Sequence, residues 1–163
     1  MEFTHLNEAG RGRMVDVSDK SDTKRTATAR GKIYLNGETL EKVKMGTMTK
    51  GDVLAVAQIA GILAAKKTAD NIPLCHNILL QGVDLNFELT DSGVTCVATI
   101  HTQGPTGAEM EALSAVSTAL LTIYDMCKAI DRGMRIENVQ LDEKRGGKSG
   151  LWRREEANDK EAQ

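Results

Sequence analysis

The stretch "VDLNFELTDSGVTCVATI", residues 83–100, decides the fold. Val83, Leu85, Phe87 and Leu89 alternate with Asp84, Asn86 and Glu88, the period-2 pattern of a strand with one dry and one wet face. Asp91-Ser92-Gly93 is a turn signal, and "VTCVATI" at 94–100 returns as the second strand of an antiparallel hairpin. Upstream, the residues 27–36, "ATARGKIYLN", end in a β-prone run, Ile33 to Leu35, that stops at Asn36-Gly37. A short helix is expected from Glu38 to Met45, then a longer one from Gly51-Asp52 to about Ala69, stopped by Pro73.

Downstream of the hairpin, Thr106 and Glu109 have the spacing of a capping box. The helix they open is expected to run to about Asp131, with Gly133 as the stop. "MRIENVQL" at 134–141 is a last strand, and the change of phase between Ile136 and Val139 suggests a bulge. The order βαββαβ predicts an α+β, ferredoxin-like split βαβ: a four-stranded antiparallel sheet with both long helices on one face. Residues 1–26 read as an extended arm holding a short strand, "MVDVS" at 14–18. Residues 27–152 form the domain, and 153–163 are expected to be a disordered tail.

Composition narrows the function. The chain has 163 residues, enough for one domain, and 40% of them are hydrophobic. A net charge of −2 and 3% aromatics leave neither a basic field nor stacking platforms, so a nucleic-acid partner is not expected. Cys75, Cys96 and Cys127 are odd in number and form no CxxC pair, which suits a reducing compartment. The uncharged runs 53–65 and 112–124 are too short to span a bilayer, and no apolar leader opens the sequence, so the expectation is a cytoplasmic protein without a membrane partner.

The helix expected at 107–131 has Leu113, Val116, Leu120, Ile123, Cys127 and Ile130 along one stripe, facing the sheet. Ala112, Ala115, Ala119, Leu121 and Met126 occupy its other side, which a two-layer monomer would expose. The 51–69 helix is also uncharged from Val53 to Ala65. Both therefore predict a homo-oligomer.

Near the end of the first of these helices, Asp125 and Lys128 stand one turn apart. On an exposed face such a pair is an ordinary ion pair of about 0.2–0.5 kcal/mol. Yet a carboxylate in the last turns opposes the helix dipole, and Ser114, Ser117, Thr118 and Leu121 share its sector and could line a cleft. The residues alone leave pair and site equally open. Lys50 precedes a helix N-terminus, where the dipole disfavours a cation unless an anion binds; a solvated loop lysine is the plainer reading. Cys75 and His76 lie in "IPLCHN", 72–77. With Cys96, His101 and Cys127 they make a poor zinc set, because only two are close in sequence. Cys75 suits a core group and His76 a proton carrier or anion contact. His101 reads as a strand-end residue, and His5 in the arm is uninformative. Glu109 and Glu111 suit a helix start. "KRGGKSG" at 144–150 is basic and glycine-rich, like a phosphate cradle, but lacks the Walker spacing. Together the cations, the lone carboxylate and the histidine suit acid–base chemistry on a polyanionic small molecule.

"MVDVS" at 14–18, "KGD" at 50–52, "AG" at 60–61, "IPLCH" at 72–76, "TGAEMEAL" at 106–113, "YDMCKA" at 124–129 and "GGKSG" at 146–150 stand in an order that resembles the MoaC family, the cyclic pyranopterin monophosphate synthases of molybdenum-cofactor biosynthesis. The resemblance covers roughly Thr4 to Arg154. It implies a ferredoxin-like fold, a homohexamer built as a trimer of dimers, and an active site between subunits. It also implies conversion of 3′,8-cyclo-7,8-dihydroguanosine 5′-triphosphate to cyclic pyranopterin monophosphate and pyrophosphate. Matched by position, it makes Asp125, Lys50 and Lys128 catalytic. It places Leu74, Cys75, His76, Met110 and Glu111 on the substrate, with Asp16, Arg25, Glu109, Lys144 and Lys148 as further pocket positions. No metal ligands or cofactor are implied, and whether Mg²⁺ accompanies the triphosphate stays open. Asn77 and Ala108 stand where the family usually has proline and valine. Proton transfer near neutral pH would call for a desolvated aspartate with a raised pKa or a lysine with a lowered one. The rival expectation is a non-catalytic ferredoxin-like oligomer that binds a nucleotide.

Overall fold

The computed structural model describes residues 6, 7 and 9–155. Its strands are β1 (Thr23–Tyr34), β2 (Leu80–Thr90), β3 (Gly93–Gly104), β4 (Arg135–Arg145) and β5 (Leu151–Arg153). Its helices are α1 (Gly37–Lys44), α2 (Val53–Lys66), α3 (Thr68–Asn71) and α4 (Glu109–Cys127). All neighbouring strands are antiparallel, in the order β2-β3-β1-β4-β5. The first four strands therefore have the split βαβ arrangement. The sheet has five strands rather than the four expected, because the chain turns at Gly146–Gly150 and adds a three-residue edge strand to β4.

The hairpin that anchored the sequence reading is β2–β3, with Leu85 opposite Ala98 and Phe87 opposite Cys96. Alternation then carries through the sheet. Ala27, Ala29 and Ile33 of β1 stand opposite Ile100, Ala98 and Val94, and all six are buried. Strand β1 begins at Thr23, inside the segment expected as an arm. It runs four residues longer at that end because Thr23–Thr26 pair with His101–Gly104. The bulge expected in β4 is present. The partners step from Arg30–Gln140 to Lys32–Glu137, and the extra β4 residue is accommodated with Asn138 at φ 55°. "MVDVS" forms no strand; Val15 and Val17 line a cleft instead.

Helix α4 lies across β1, β3 and β4, and α2 packs beside it over β2. Val116, Leu120, Ile123 and Cys127 are fully buried against the sheet, whereas Ile130 falls beyond the helix and is exposed. The other side of α4 is not left open as expected. Ala112, Ala115, Ala119 and Met126 are buried within the single chain, and only Leu121 remains exposed. The reason is Gly61 of α2, which packs on the Ala115 carbonyl and the Ala119 methyl, so the helices approach closely over small residues. The face of α2 that stays uncovered is Val56, Ile59 and Leu63. The second helix also divides: α2 ends at Lys66, and Thr68–Asn71 form the separate α3. Of the expected tail, Arg153 belongs to β5, and residues 156–163 lie outside the described residues, as does His5.

Candidate active site

The last turn of α4 presents Asp125, and a turn before α2 presents Lys50. Asp52 caps α2 by accepting from the Ala55 N–H at 3.0 Å, which fixes the approach of Lys50 to α4. The Lys50 ammonium donates to Asp125 Oδ2 at 2.9 Å and to the Asp125 carbonyl at 3.0 Å. Lys128 Nζ reaches Oδ1 at 2.7 Å. Each carboxylate oxygen therefore holds one ammonium. These bonds, Lys128's first and then Lys50's, hold the Asp125 carboxyl down at about 2. The same pairing pushes Lys128 up. Both shifts run opposite to the expectation of a desolvated acid or a neutralised lysine, because Asp125 is exposed (56%) and doubly paired.

The cleft around this group is about 410 Å³ and is lined by Lys50, Tyr124, Asp125, Lys128, Ala129 and Arg132. Ser114, Ser117, Thr118 and Leu121 do not join that lining. The backbone beyond α4 is fixed by Asp131, whose buried carboxylate accepts from the Asn36 N–H at 2.8 Å and the Gly133 N–H at 3.2 Å. The Tyr124 hydroxyl donates to the Arg132 carbonyl at 3.2 Å.

A second constellation lies at the other end of α4. The segments Ile72–His76, Val15–Val17 and Thr106–Glu111 line a cleft of about 450 Å³. Glu111 is 3% exposed, and its Oε1 lies 3.9 Å from Cys75 Sγ; its Oε2 is buried without a partner. Burial pushes the Glu111 carboxyl up, with a further push from the charge of Glu109. Burial and the Glu111 charge push the Cys75 thiol up as well. His76 Nε2 is 2.6 Å from the Val15 carbonyl, and with a proton on that nitrogen the ring donates to it. Leu74 and Met110 are half-open at the rim. The expected capping box is not formed: Ala108 occupies the cap position without a side-chain bond, and Glu109 accepts from Lys144 at 3.0 Å instead.

Next to this cleft is another of about 590 Å³, which shares Lys20, Thr106 and Gly107 with it and adds Arg25 and Lys148. Arg25 donates from Nε and Nη2 to the Gly104 and Pro105 carbonyls, each at 3.0 Å. Lys148 sits in the β4–β5 turn. Asp16 is not brought to either cleft. Its Oδ1 accepts from the Ser18 hydroxyl at 2.6 Å and the Ser18 N–H at 2.9 Å, which lowers its pKa. The five zinc candidates are dispersed: Cys96 and Cys127 are core thiols, pushed by burial to about 12 and about 11. His101 faces Thr26 across the open side of the sheet. Among the described residues no cluster of three or more His, Cys, Asp or Glu is placed to hold a metal ion.

The structure thus gathers Lys50, Asp125 and Lys128 at one end of α4. It gathers Leu74, Cys75, His76, Glu109, Met110 and Glu111 at the other, with Arg25, Lys144 and Lys148 beside them. At 1.5 Å per residue, Glu111 and Asp125 are about 20 Å apart along the helix. Two lining cations escaped the sequence reading. Lys20 sits in a polar run without a motif. Arg132 follows Asp125 and Lys128 at i+7 and i+4, a helical spacing that would have marked it.

The MoaC family model matches residues 14–147. A protein of Peptoclostridium acidaminophilum named cyclic pyranopterin monophosphate synthase is 58% identical over 95% of this chain and 99% of its own length. Proteins with the same name from Thermoanaerobacter sp. (strain X514), 58% identical over 95% and 99%, and Desulfitobacterium hafniense, 56% identical over 96% of each chain, are similarly close.

Proposed function

The chain belongs to the MoaC family, and from that premise we propose that it is a cyclic pyranopterin monophosphate synthase whose chemistry is done at Lys50, Asp125 and Lys128. It converts 3′,8-cyclo-7,8-dihydroguanosine 5′-triphosphate to cyclic pyranopterin monophosphate, releasing pyrophosphate. The observation that carries the assignment of roles is the doubly paired Asp125: one carboxylate with an ammonium on each oxygen, beside an open cleft. Such a cluster holds one ionised proton acceptor and two proton donors in reach of one another. At about 2, Asp125 is a weak base while both lysines hold it. A substrate phosphate that draws Lys128 away frees one carboxylate oxygen and makes Asp125 more basic when the ring must lose a proton. Lys50 then stands as the donor to a leaving or ring heteroatom. As the α-phosphate closes onto the sugar, the bond to pyrophosphate breaks, and cations neutralise the charge that departs.

The distance along α4 bears on assembly. Roughly 20 Å separates the triad from the Cys75–His76–Glu111 cleft in one chain, too far for one bicyclic head group to touch both. A homohexamer, a trimer of dimers, resolves this by joining one subunit's triad to another's cleft. The uncovered Val56, Ile59 and Leu63 of α2 and Leu121 of α4 supply apolar surface for that packing. The partner is a small molecule in the cytoplasm, not nucleic acid or a membrane. No helix among the described residues is long and apolar enough to cross a membrane.

Incubation with the cyclised GTP substrate tests the function. The synthase releases one pyrophosphate per cyclic product. A nucleotide-binding oligomer without catalysis retains the substrate unchanged, and that result would overturn the assignment.

A further inference from the structure

Of the four charged side chains that line the α4 C-terminal cleft, three are joined by ion pairs within the cluster. Asp125 accepts from Lys50 and from Lys128, one on each oxygen. Arg132 lines the same cleft, and no described carboxylate pairs with its guanidinium. The adjacent acid, Asp131, is buried and committed to the Asn36 and Gly133 N–H groups. With Asp125 ionised, the cleft carries two more positive than negative charges. Arg132 supplies one of the two, and it is the one that ion pairing leaves idle.

Resting on the reading of this cleft as the active site, we propose that Arg132 is a further substrate-binding residue, which grips a phosphate group of the substrate. Two features suit it to that task. A guanidinium offers two parallel N–H donors to two oxygens of one phosphate, which an ammonium cannot do. Its backbone is also held in place, because the Arg132 carbonyl accepts the Tyr124 hydroxyl from inside α4. The side chain therefore swings from a fixed point one turn beyond Lys128. Lys128 can be drawn from Asp125 by the same phosphate, so the two cations would share its charge.

The phosphate can be part of the pyrophosphate that leaves or the α-phosphate that cyclises. Arg132→Gln and Arg132→Lys, each assayed as the full-length assembly, separate these sources. Arg132→Gln should raise KM for the cyclised triphosphate about tenfold or more, the usual scale for losing a charged hydrogen bond. Its kcat should change by less than about threefold, and Arg132→Lys should recover part of the affinity. If Arg132 grips the leaving end, inhibition by added inorganic pyrophosphate weakens by a similar factor. If it grips the α-phosphate, inhibition by the cyclic monophosphate product weakens instead. Unchanged KM and unchanged inhibition by both products would overturn the proposal. So would a loss of assembly in sedimentation that accounts for the whole effect, since Arg132 would then be pairing with another subunit. Lys50→Ala run alongside separates the two readings. If it turns over normally, the cleft is not the catalytic site; if it is dead while Arg132→Gln is normal, only the Arg132 proposal fails.

Discussion

The two ends of α4 carry carboxylates whose protonation defies the helix dipole in opposite senses. The positive N-terminal end should favour ionised Glu111, yet burial drives its pKa up. The negative C-terminal end should disfavour ionised Asp125, yet two ammoniums drive its pKa down. A dipole contributes about 0.3–1 kcal/mol at such positions. Desolvation at one end and paired charges at the other act against it. The helix fixes where these groups stand, while their surroundings decide which proton each keeps. One end is dry and holds a thiol and a buried acid. The other is wet and holds charges that a phosphate can rearrange.

The strongest challenge to this contrast is to remove charges from the wet end. Lys50→Ala and Asp125→Asn should each lower kcat/KM by about 10²–10⁴, the range for proton-transfer groups, with the unfolding transition little changed. Near-normal turnover in either would end the catalytic assignment. A subtler test asks whether the two ends work together across subunits. Asp125→Asn and His76→Ala, each inactive alone, should regain activity when unfolded and refolded as a mixture. Random assortment gives about a quarter of sites with both native residues. No recovery would place the two ends in separate functions.

Stability probes the link between the ends. Gly61→Ala forces a methyl against Leu85 and the Ala115 carbonyl, 3.0 Å away, and should cost about 1–3 kcal/mol in denaturant unfolding. Glu111→Gln tests the dry end. Because the folded chain raises the Glu111 pKa, its protonated form is favoured, and wild-type stability should fall relative to the glutamine variant as pH rises above the usual glutamate range. Parallel curves would show that Glu111 ionises freely. The smallest effect is spectroscopic. Asp125, depressed to about 2, stays ionised in the free chain until pH falls through that value, and Lys128→Ala should move its carboxyl titration upward, toward the usual aspartate range. An unmoved midpoint would mean that Lys128 does not hold the carboxylate in solution.

Much of this architecture was legible in the sequence because alternation and helical spacing report burial. The β2–β3 hairpin, the sheet-facing stripe of α4 and the bulge in β4 all stood out that way. The failures share a cause: a local pattern was given a local explanation when its partner was distant. Val15 and Val17 alternate because they face a cleft, not because they pair in a sheet. Glu109 stands at capping-box spacing but turns to Lys144, 35 residues away. The alanine side of α4 looked open because its cover, Gly61, belongs to another helix. β5 has only three residues, too few to show a period. For the site, the motif positions named Asp125, Lys50 and Lys128 together, and the fold brings the three side chains into contact. Their exposure and the direction of the Asp125 shift depend on tertiary contacts that spacing does not report.

The β4–β5 turn shows how a position can matter for the atoms it lacks. Gly146 at φ 98° and Gly147 at φ 71° lie against the Lys24 carbonyl and the Arg25 guanidinium, where a Cβ would collide. A saturation screen for loss of activity would rank these two glycines beside Lys50 and Asp125. Their signature would differ, however. A side chain of any charge would be disfavoured at both, most at Gly146, where it meets the Lys24 backbone, and the lost protein would be recovered by lowering the growth temperature rather than by supplying more substrate.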